Sequence, residues 1–109
     1  MADMELFEQL EMRVGRITRV DPFPEARKPA YKLEIDFGEL GLRRSSAQLT
    51  GHYSAEDLLG RQVIAVVNFP PRRVAGFVSE VLVLGLPDGT GEVVLLVPER
   101  AVPLGGRVY

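Results

Sequence analysis

Between Tyr31 and Phe37 the side chains alternate without a slip. Tyr31, Leu33, Ile35 and Phe37 are apolar, and Lys32, Glu34 and Asp36 are charged. Period two marks a strand with one dry and one wet face, a pattern that helical spacing cannot reproduce. Other runs extend this reading. Val63 to Val67 is almost wholly β-branched and reads as a buried strand. Ser79 to Leu86 resumes as a second apolar strand after the break at Pro70-Pro71, where neither proline has an N–H for a ladder. Met12 to Asp21 is long enough for a strand, but Val14, Ile17 and Val20 fall three apart. A bulge at Gly15 would restore the register and bend the strand. Gly38-Glu39-Leu40-Gly41 reads as a tight hairpin connection into Leu42 to Leu49, whose polar stretch Arg43 to Gln48 gives a basic outer sheet surface.

Helical signals are short. Asp3 is placed to cap a helix over residues 4–11, with Met4, Phe7 and Leu10 along one stripe. Eight residues do not persist as an isolated helix, so this one must dock. Ser54 and Asp57 have capping-box spacing before Leu58-Leu59, and Gly60 supplies the stop. Asp88-Gly89-Thr90-Gly91 is a turn, and Glu92 to Val97 a further strand. Five strands with a short helix between the third and fourth describe an all-β, Greek-key OB-fold barrel; a simple up-and-down barrel is the alternative. The 109 residues make one domain: the N-terminal helix over 1–11, the barrel over 12–86 and a C-terminal extension over 87–109.

Composition narrows the function. With no cysteine there is no disulfide, thiolate metal site or cysteine nucleophile. A single histidine, His52, rules out a multi-histidine metal site, and no glycine-rich phosphate loop is present. These absences argue against an enzyme, and no cofactor is expected. No apolar run is long enough to span a bilayer, and the acidic opening Met-Ala-Asp-Met-Glu is unlike a signal peptide, so a cytoplasmic protein is expected. The net charge of −2 is unevenly spread: the first eleven residues carry four acidic side chains and no basic one. Eleven of the thirteen basic residues are arginine, which favours stacking and bidentate contacts.

A binding surface is expected on the segment from Asn68 to Ser79, held between two core strands. It carries Phe69, Pro70, Pro71, Arg72, Arg73 and Phe77. Phe23-Pro24 offers a second apolar rim, and Ser46, Gln48 and Ser79 are polar residues placed to meet a peptide backbone. Three roles are open for Phe23, Phe69 and Phe77: platforms for bases, anchors for peptide side chains, or core. Arg43, Arg44, Arg72 and Arg73 suit phosphates or acidic segments, or are an ordinary solvated face. His52 and Tyr53 stand before the second helix, near the same mouth. Met4, Phe7, Leu10, Val108 and Tyr109 are candidates for a two-fold interface.

Several of these stretches resemble one family. They are Val14-Gly15-Arg16-Ile17, the run Phe23 to Tyr31, the run Ser45 to Thr50, and Asn68-Phe69-Pro70-Pro71 through Ser79 to Gly85. Over about residues 12–109 the chain is similar to the CsaA export-related chaperones, themselves similar in fold to the tRNA-binding domains of methionyl- and phenylalanyl-tRNA synthetases. The resemblance implies an OB-fold homodimer that binds unfolded or pre-secretory polypeptides in hydrophobic grooves and assists export, with the secretion machinery as a possible partner. Where the tRNA-binding relatives read His-Pro-Asn-Ala-Asp, this chain has Phe23-Pro24-Glu25-Ala26-Arg27. Where they carry Gly-Met beyond the serine matching Ser79, it has Val81-Leu82 after Glu80. Both departures favour apolar peptide side chains, with tRNA binding weak or absent. A tRNA-binding module reading structured RNA is the alternative.

Overall fold

The computed structural model describes residues 1–109. Its centre is a five-stranded antiparallel sheet that curls into a nearly closed barrel. The strands are β1 (Met12–Pro22), β2 (Tyr31–Asp36), β3 (Leu42–Ala47), β4 (Gln62–Val66) and, later in the chain, β7 (Leu82–Val83). Their order in the sheet is β3-β2-β1-β4-β7. This is the OB-fold-like barrel that the alternating patterns predict, with two short helices. The first, α1 (Met4–Gln9), starts at Asp3, whose carboxylate accepts from the Leu6 N–H at 3.3 Å. The second, α2 (Ala55–Leu58), has the expected capping box: Ser54 Oγ accepts from the Asp57 N–H, and the Asp57 carboxylate from the Ser54 N–H, both at 3.1 Å.

The inward residues of β2 are Leu33, Ile35 and, just beyond it, Phe37, all buried as their period requires. They meet Ile17 from β1 and Val63 and Ala65 from β4, and Leu58 of α2 joins the same cluster. The expected bulge moves. β1 pairs with β2 through Ile17↔Ile35 and then Arg19↔Glu34, so Thr18 is the extra residue. Its hydroxyl bonds the Glu34 carbonyl at 3.2 Å and the Glu34 carboxylate at 2.9 Å. Gly15 lies in register opposite Val63 and lacks a side chain for another reason. A Cβ there would stand 2.5 Å from Ile35 Cγ2 and 2.7 Å from the Phe37 ring.

The predicted fifth strand, Ser79 to Leu86, is not continuous. Phe77–Ser79 (β6) pairs with Arg72–Val74 (β5) in a hairpin. Glu80 and Val81 then turn to β3: the Glu80 N–H bonds the Arg44 carbonyl at 2.8 Å, and the buried Ser45 hydroxyl bonds the Val81 carbonyl at 3.1 Å. β7 pairs with β4, and Gly85–Pro87 (β8) pairs with Val93–Leu95 (β9). One apolar run thus serves four partners in turn, and each change of partner interrupts the ladder. The stretch after Pro70-Pro71, expected as a loop, contains the β5–β6 hairpin. Its turn residues Ala75 and Gly76 have φ of 45° and 83°, the positive pair that a tight hairpin turn demands.

The C-terminal segment is part of the barrel wall. Leu95 is buried in the main cluster, and its N–H donates to Tyr53 Oη at 3.0 Å. Residues 105–108 run beside the start of β1, with Val14 bonded to Gly105 and Gly106, and the Val108 N–H to the Met12 carbonyl. No helix is long and apolar enough to cross a membrane.

Candidate functional site

The loop after β1, the end of β3, and the segment from Phe69 through the β5–β6 hairpin to Val83 surround one groove of about 600 Å³. Phe69, Pro70, Val74, Val81, Leu82 and Val83 give its wall an apolar character. Arg27, Lys28 and Arg72 line it as well. An OB-fold binds extended ligands on the face of its second and third strands and on the loops flanking it; this groove shares with that surface the end of β3 and the loop between β1 and β2.

Six of the residues singled out in the sequence come together here: Ser46, Gln48, Phe69, Pro70, Arg72 and Ser79. Phe69 is 43% exposed, an aromatic anchor available to a ligand. Ser79 also has a structural task, since its hydroxyl accepts from the Ser46 N–H at 3.0 Å and helps to close the barrel. Pro24, Pro71 and Arg73 are exposed but do not line the groove.

Phe23 is not a rim. It is 3% exposed and packs edge to face on Phe77. Lys32 Nζ lies 4.9 Å from the centre of the Phe23 ring and 5.6 Å from that of Phe77, and the Arg44 guanidinium lies 5.2 Å from the latter. Both rings are thus engaged by cations of the chain itself, and neither lines the groove.

His52 and Tyr53 also lie elsewhere. His52 Nε2 is 2.5 Å from Asp88 Oδ2, and the Tyr53 carbonyl accepts from Tyr31 Oη at 2.8 Å. Arg43 leans on the Leu40 carbonyl at 3.4 Å. The Glu80 carboxylate, the one acidic group of the groove wall, accepts from the Arg44 N–H at 2.9 Å.

The sequence reading missed the contribution of the loop over 26–30, although the basic tip Arg27-Lys28 was its signal. It also missed Val93, which arrives from β9 and is invisible to local pattern. Asn68 turns out to be a clasp: its amide donates to the Gln9 carbonyl at 2.7 Å, and its Oδ1 accepts from the Glu11 N–H at 2.9 Å. That joins the end of α1 to the residue before Phe69.

Three carboxyls are held below their ordinary range, none of them at the groove. Glu11 is lowered chiefly by its hydrogen bond from Arg13 and Asp57 by the Ser54 backbone N–H. Asp88 is lowered most, by His52 first and then by the Thr90 hydroxyl and N–H. No group of three or more His, Asp or Glu side chains converges as a metal site.

The described family "putative tRNA binding domain" matches residues 12–107. Among solved structures, the chaperone CsaA of Bacillus anthracis is 56% identical, with a TM-score of 0.94, covering all of this chain and 99% of that one. The CsaA chaperone protein of Picrophilus torridus is 47% identical, with a TM-score of 0.93 and full coverage of both chains. The methionine–tRNA ligase of Methanosarcina mazei is 32% identical over 106 residues, which is 97% of this chain and 15% of the ligase. The chain therefore spans a small part of the length of such ligases. The barrel and these likenesses agree: the chain belongs to the tRNA-binding-domain family, on the side of it that the CsaA chaperones represent.

Proposed function

We propose that this protein is a non-catalytic chaperone that holds unfolded or pre-secretory polypeptides in the groove beneath the β5–β6 hairpin. The observation that carries the reading is the groove wall itself. Phe69, Pro70, Val74 and Leu82 offer apolar surface, Arg27, Lys28 and Arg72 accompany it, and Pro70 is already restricted. Such a wall takes apolar side chains of varied sequence and meets acidic neighbours, without committing to one shape. The likeness to the two CsaA chaperones supports the same reading. A role in export, a cytoplasmic site of action and contact with secretion machinery belong to this proposal.

The active form in this proposal is a homodimer. α1 buries none of its residues, and Met4, Leu6 and Tyr109 are exposed. Apolar surface of that kind suits a self-complementary contact with a second copy. Removal of residues 1–10 is expected to give monomers in sedimentation; an intact dimer after removal would refute this part.

The second reading, a tRNA-binding module, is favoured by the family match over residues 12–107 and by the exposed Arg44, Arg72 and Arg73. The net charge of −2 weighs against it, because phosphate neutralisation drives such binding. Affinities for tRNA and for a permanently unfolded polypeptide, measured across a salt series, separate the two. Polypeptide binding that persists while tRNA binding disappears near physiological salt is the expected result. Tight tRNA binding there, lost on replacing Arg72 and Arg73, would reverse the assignment.

A further inference from the structure

The barrel seam opens by degrees. Every neighbouring pair in the sheet is antiparallel, so β3 and β7, its first and fifth strands, run in the same direction. Alternate residues of a strand turn their backbone groups to opposite sides, so Arg44 and Ser46 address the seam, and Gln48 follows one residue beyond the end of β3. At Arg44 both groups are engaged: the carbonyl accepts from the Glu80 N–H at 2.8 Å, and the N–H donates to the Glu80 carboxylate at 2.9 Å. At Ser46 the N–H reaches only a side chain, the Ser79 hydroxyl. At Gln48 neither the N–H nor the carbonyl has a partner in the chain, and the residue is exposed. On the far side, the Leu84 N–H bonds the Ile64 carbonyl, which turns the backbone groups of Val83 away from β4 and towards the opening. The groove lies in this opening, with Gln48 on one wall and Val83 on the other.

On the reading of the groove as a polypeptide site, we propose that its occupant is an extended apolar segment flanked by carboxylates, which joins the open seam as an added strand along Gln48. An unpaired strand edge is a template for another chain, and an extended peptide completes it with its own N–H and C=O groups. The flanking charge follows from the wall. Arg27, Lys28 and Arg72 form no ion pair within the chain, whereas the one carboxylate beside them, Glu80, faces Arg44. Single-stranded RNA fits less well. Bases are held by stacking on aromatic faces, and Phe23 is buried while Lys32 and Arg44 sit over Phe77. That leaves Phe69 as the one aromatic ring of the groove.

The probe is a fluorescent heptapeptide, Asp-Val-Thr-Val-Thr-Val-Asp, with blocked ends, together with versions N-methylated at each position in turn. Methylation removes one N–H and leaves the side chain. Positions of one parity are expected to weaken binding about tenfold and those of the other parity to leave it within about twofold, since alternate N–H groups point to the seam. Gln48→Pro removes the N–H at a site where it makes no internal bond, and is expected to match the methylated loss at an unchanged melting temperature. Gln48→Ala keeps the backbone groups, so the difference between the two parities of methylation is expected to persist in it, whatever the loss of the side chain does to the overall affinity. A peptide with lysine ends should bind more weakly, and Arg72→Glu should narrow that difference. Binding indifferent to methylation at both parities would overturn strand addition while leaving the chaperone reading intact. Binding of a uridine dodecamer that Arg72→Glu abolishes, with no binding of any peptide, would overturn both. Release of a self-associated partner by the peptide, without the alternation, would assign the seam to a second copy of the chain and overturn the proposal.

Discussion

The rings of Phe23 and Phe77 meet edge to face, their centroids 5.6 Å apart and their planes at 63°. One belongs to the loop after β1 and the other to the β5–β6 hairpin, so this contact holds together two of the segments around the groove. Phe77→Ala is therefore expected to act mainly on stability. It should cost about 2 kcal/mol in urea unfolding, less than the roughly 3–5 kcal/mol of a fully buried phenylalanine, because Phe77 is half-buried. Phe69→Ala should leave unfolding within about 1 kcal/mol and weaken polypeptide binding by about 1–3 kcal/mol. The opposite pattern, a stable Phe77→Ala and an unfolding Phe69→Ala, would exchange the two roles.

Gly15→Ala tests the closest approach inside the barrel. The added methyl would stand 2.5 Å from Ile35 Cγ2, in a wall built of strands on both sides. Overpacking of about 1–3 kcal/mol is expected, read as a lower urea midpoint with unchanged slope. A wild-type midpoint would mean that the β1–β2 pair can shift to make room.

Asn68→Ala removes the two hydrogen bonds that Asn68 makes at the end of α1. The expected loss is about 1 kcal/mol in global stability, with faster amide exchange confined to residues 4–11. Asn68→Asp keeps the acceptor for the Glu11 N–H but not the donor to the Gln9 carbonyl, so it should fall between the two. Unchanged exchange at residues 4–11 in Asn68→Ala would show that Arg107, whose guanidinium bonds the Glu8 and Leu10 carbonyls, suffices alone.

Acid should loosen the β8–β9 turn. Asp88 accepts from His52 and Thr90, and these bonds hold its carboxyl below the ordinary aspartate value in the folded state. A carboxyl depressed by folding stabilises the protein above its unfolded value of about 4, and that contribution is lost as pH falls through the folded value. Thermal midpoints measured downward from pH 5 should therefore decline more steeply in the wild type than in Asp88→Asn, with the variant already lower at pH 5. Parallel curves for the two proteins would show that this pair does not govern the acid limb.

Local pattern was enough for β2, for the Ser54–Asp57 cap and for the barrel class, because each depends on residues close in sequence. It failed where two distant segments decide the outcome. Val14, Ile17 and Val20 reveal that a residue is inserted in β1, but only the pairing with Glu34 says that it is Thr18. Glycine at position 15 suggested the bulge locally, yet its cause is the Ile35 and Phe37 side chains across the sheet. Phe23 beside Pro24 looked like an exposed rim because its partner, Phe77, is over fifty residues away. The groove was half legible: the Phe69–Arg72 stretch announced itself, whereas Val93 reaches it only through the β8–β9 hairpin.

The pairing of residues 105–108 with the start of β1 has an architectural consequence. Arg107 touches the end of α1, and that helix carries the chain back only about 9 Å, at 1.5 Å per residue over six residues. Both ends of the polypeptide therefore leave from one corner of the barrel. A module wired in this way can be spliced onto a larger protein by either end, or rejoined into a permuted ring, without pulling a strand from its place. Linking residue 109 to residue 4 through a short glycine-serine bridge and reopening the chain at Gly89, an exposed position in the Asp88–Gly91 turn, should yield a folded protein with the same groove.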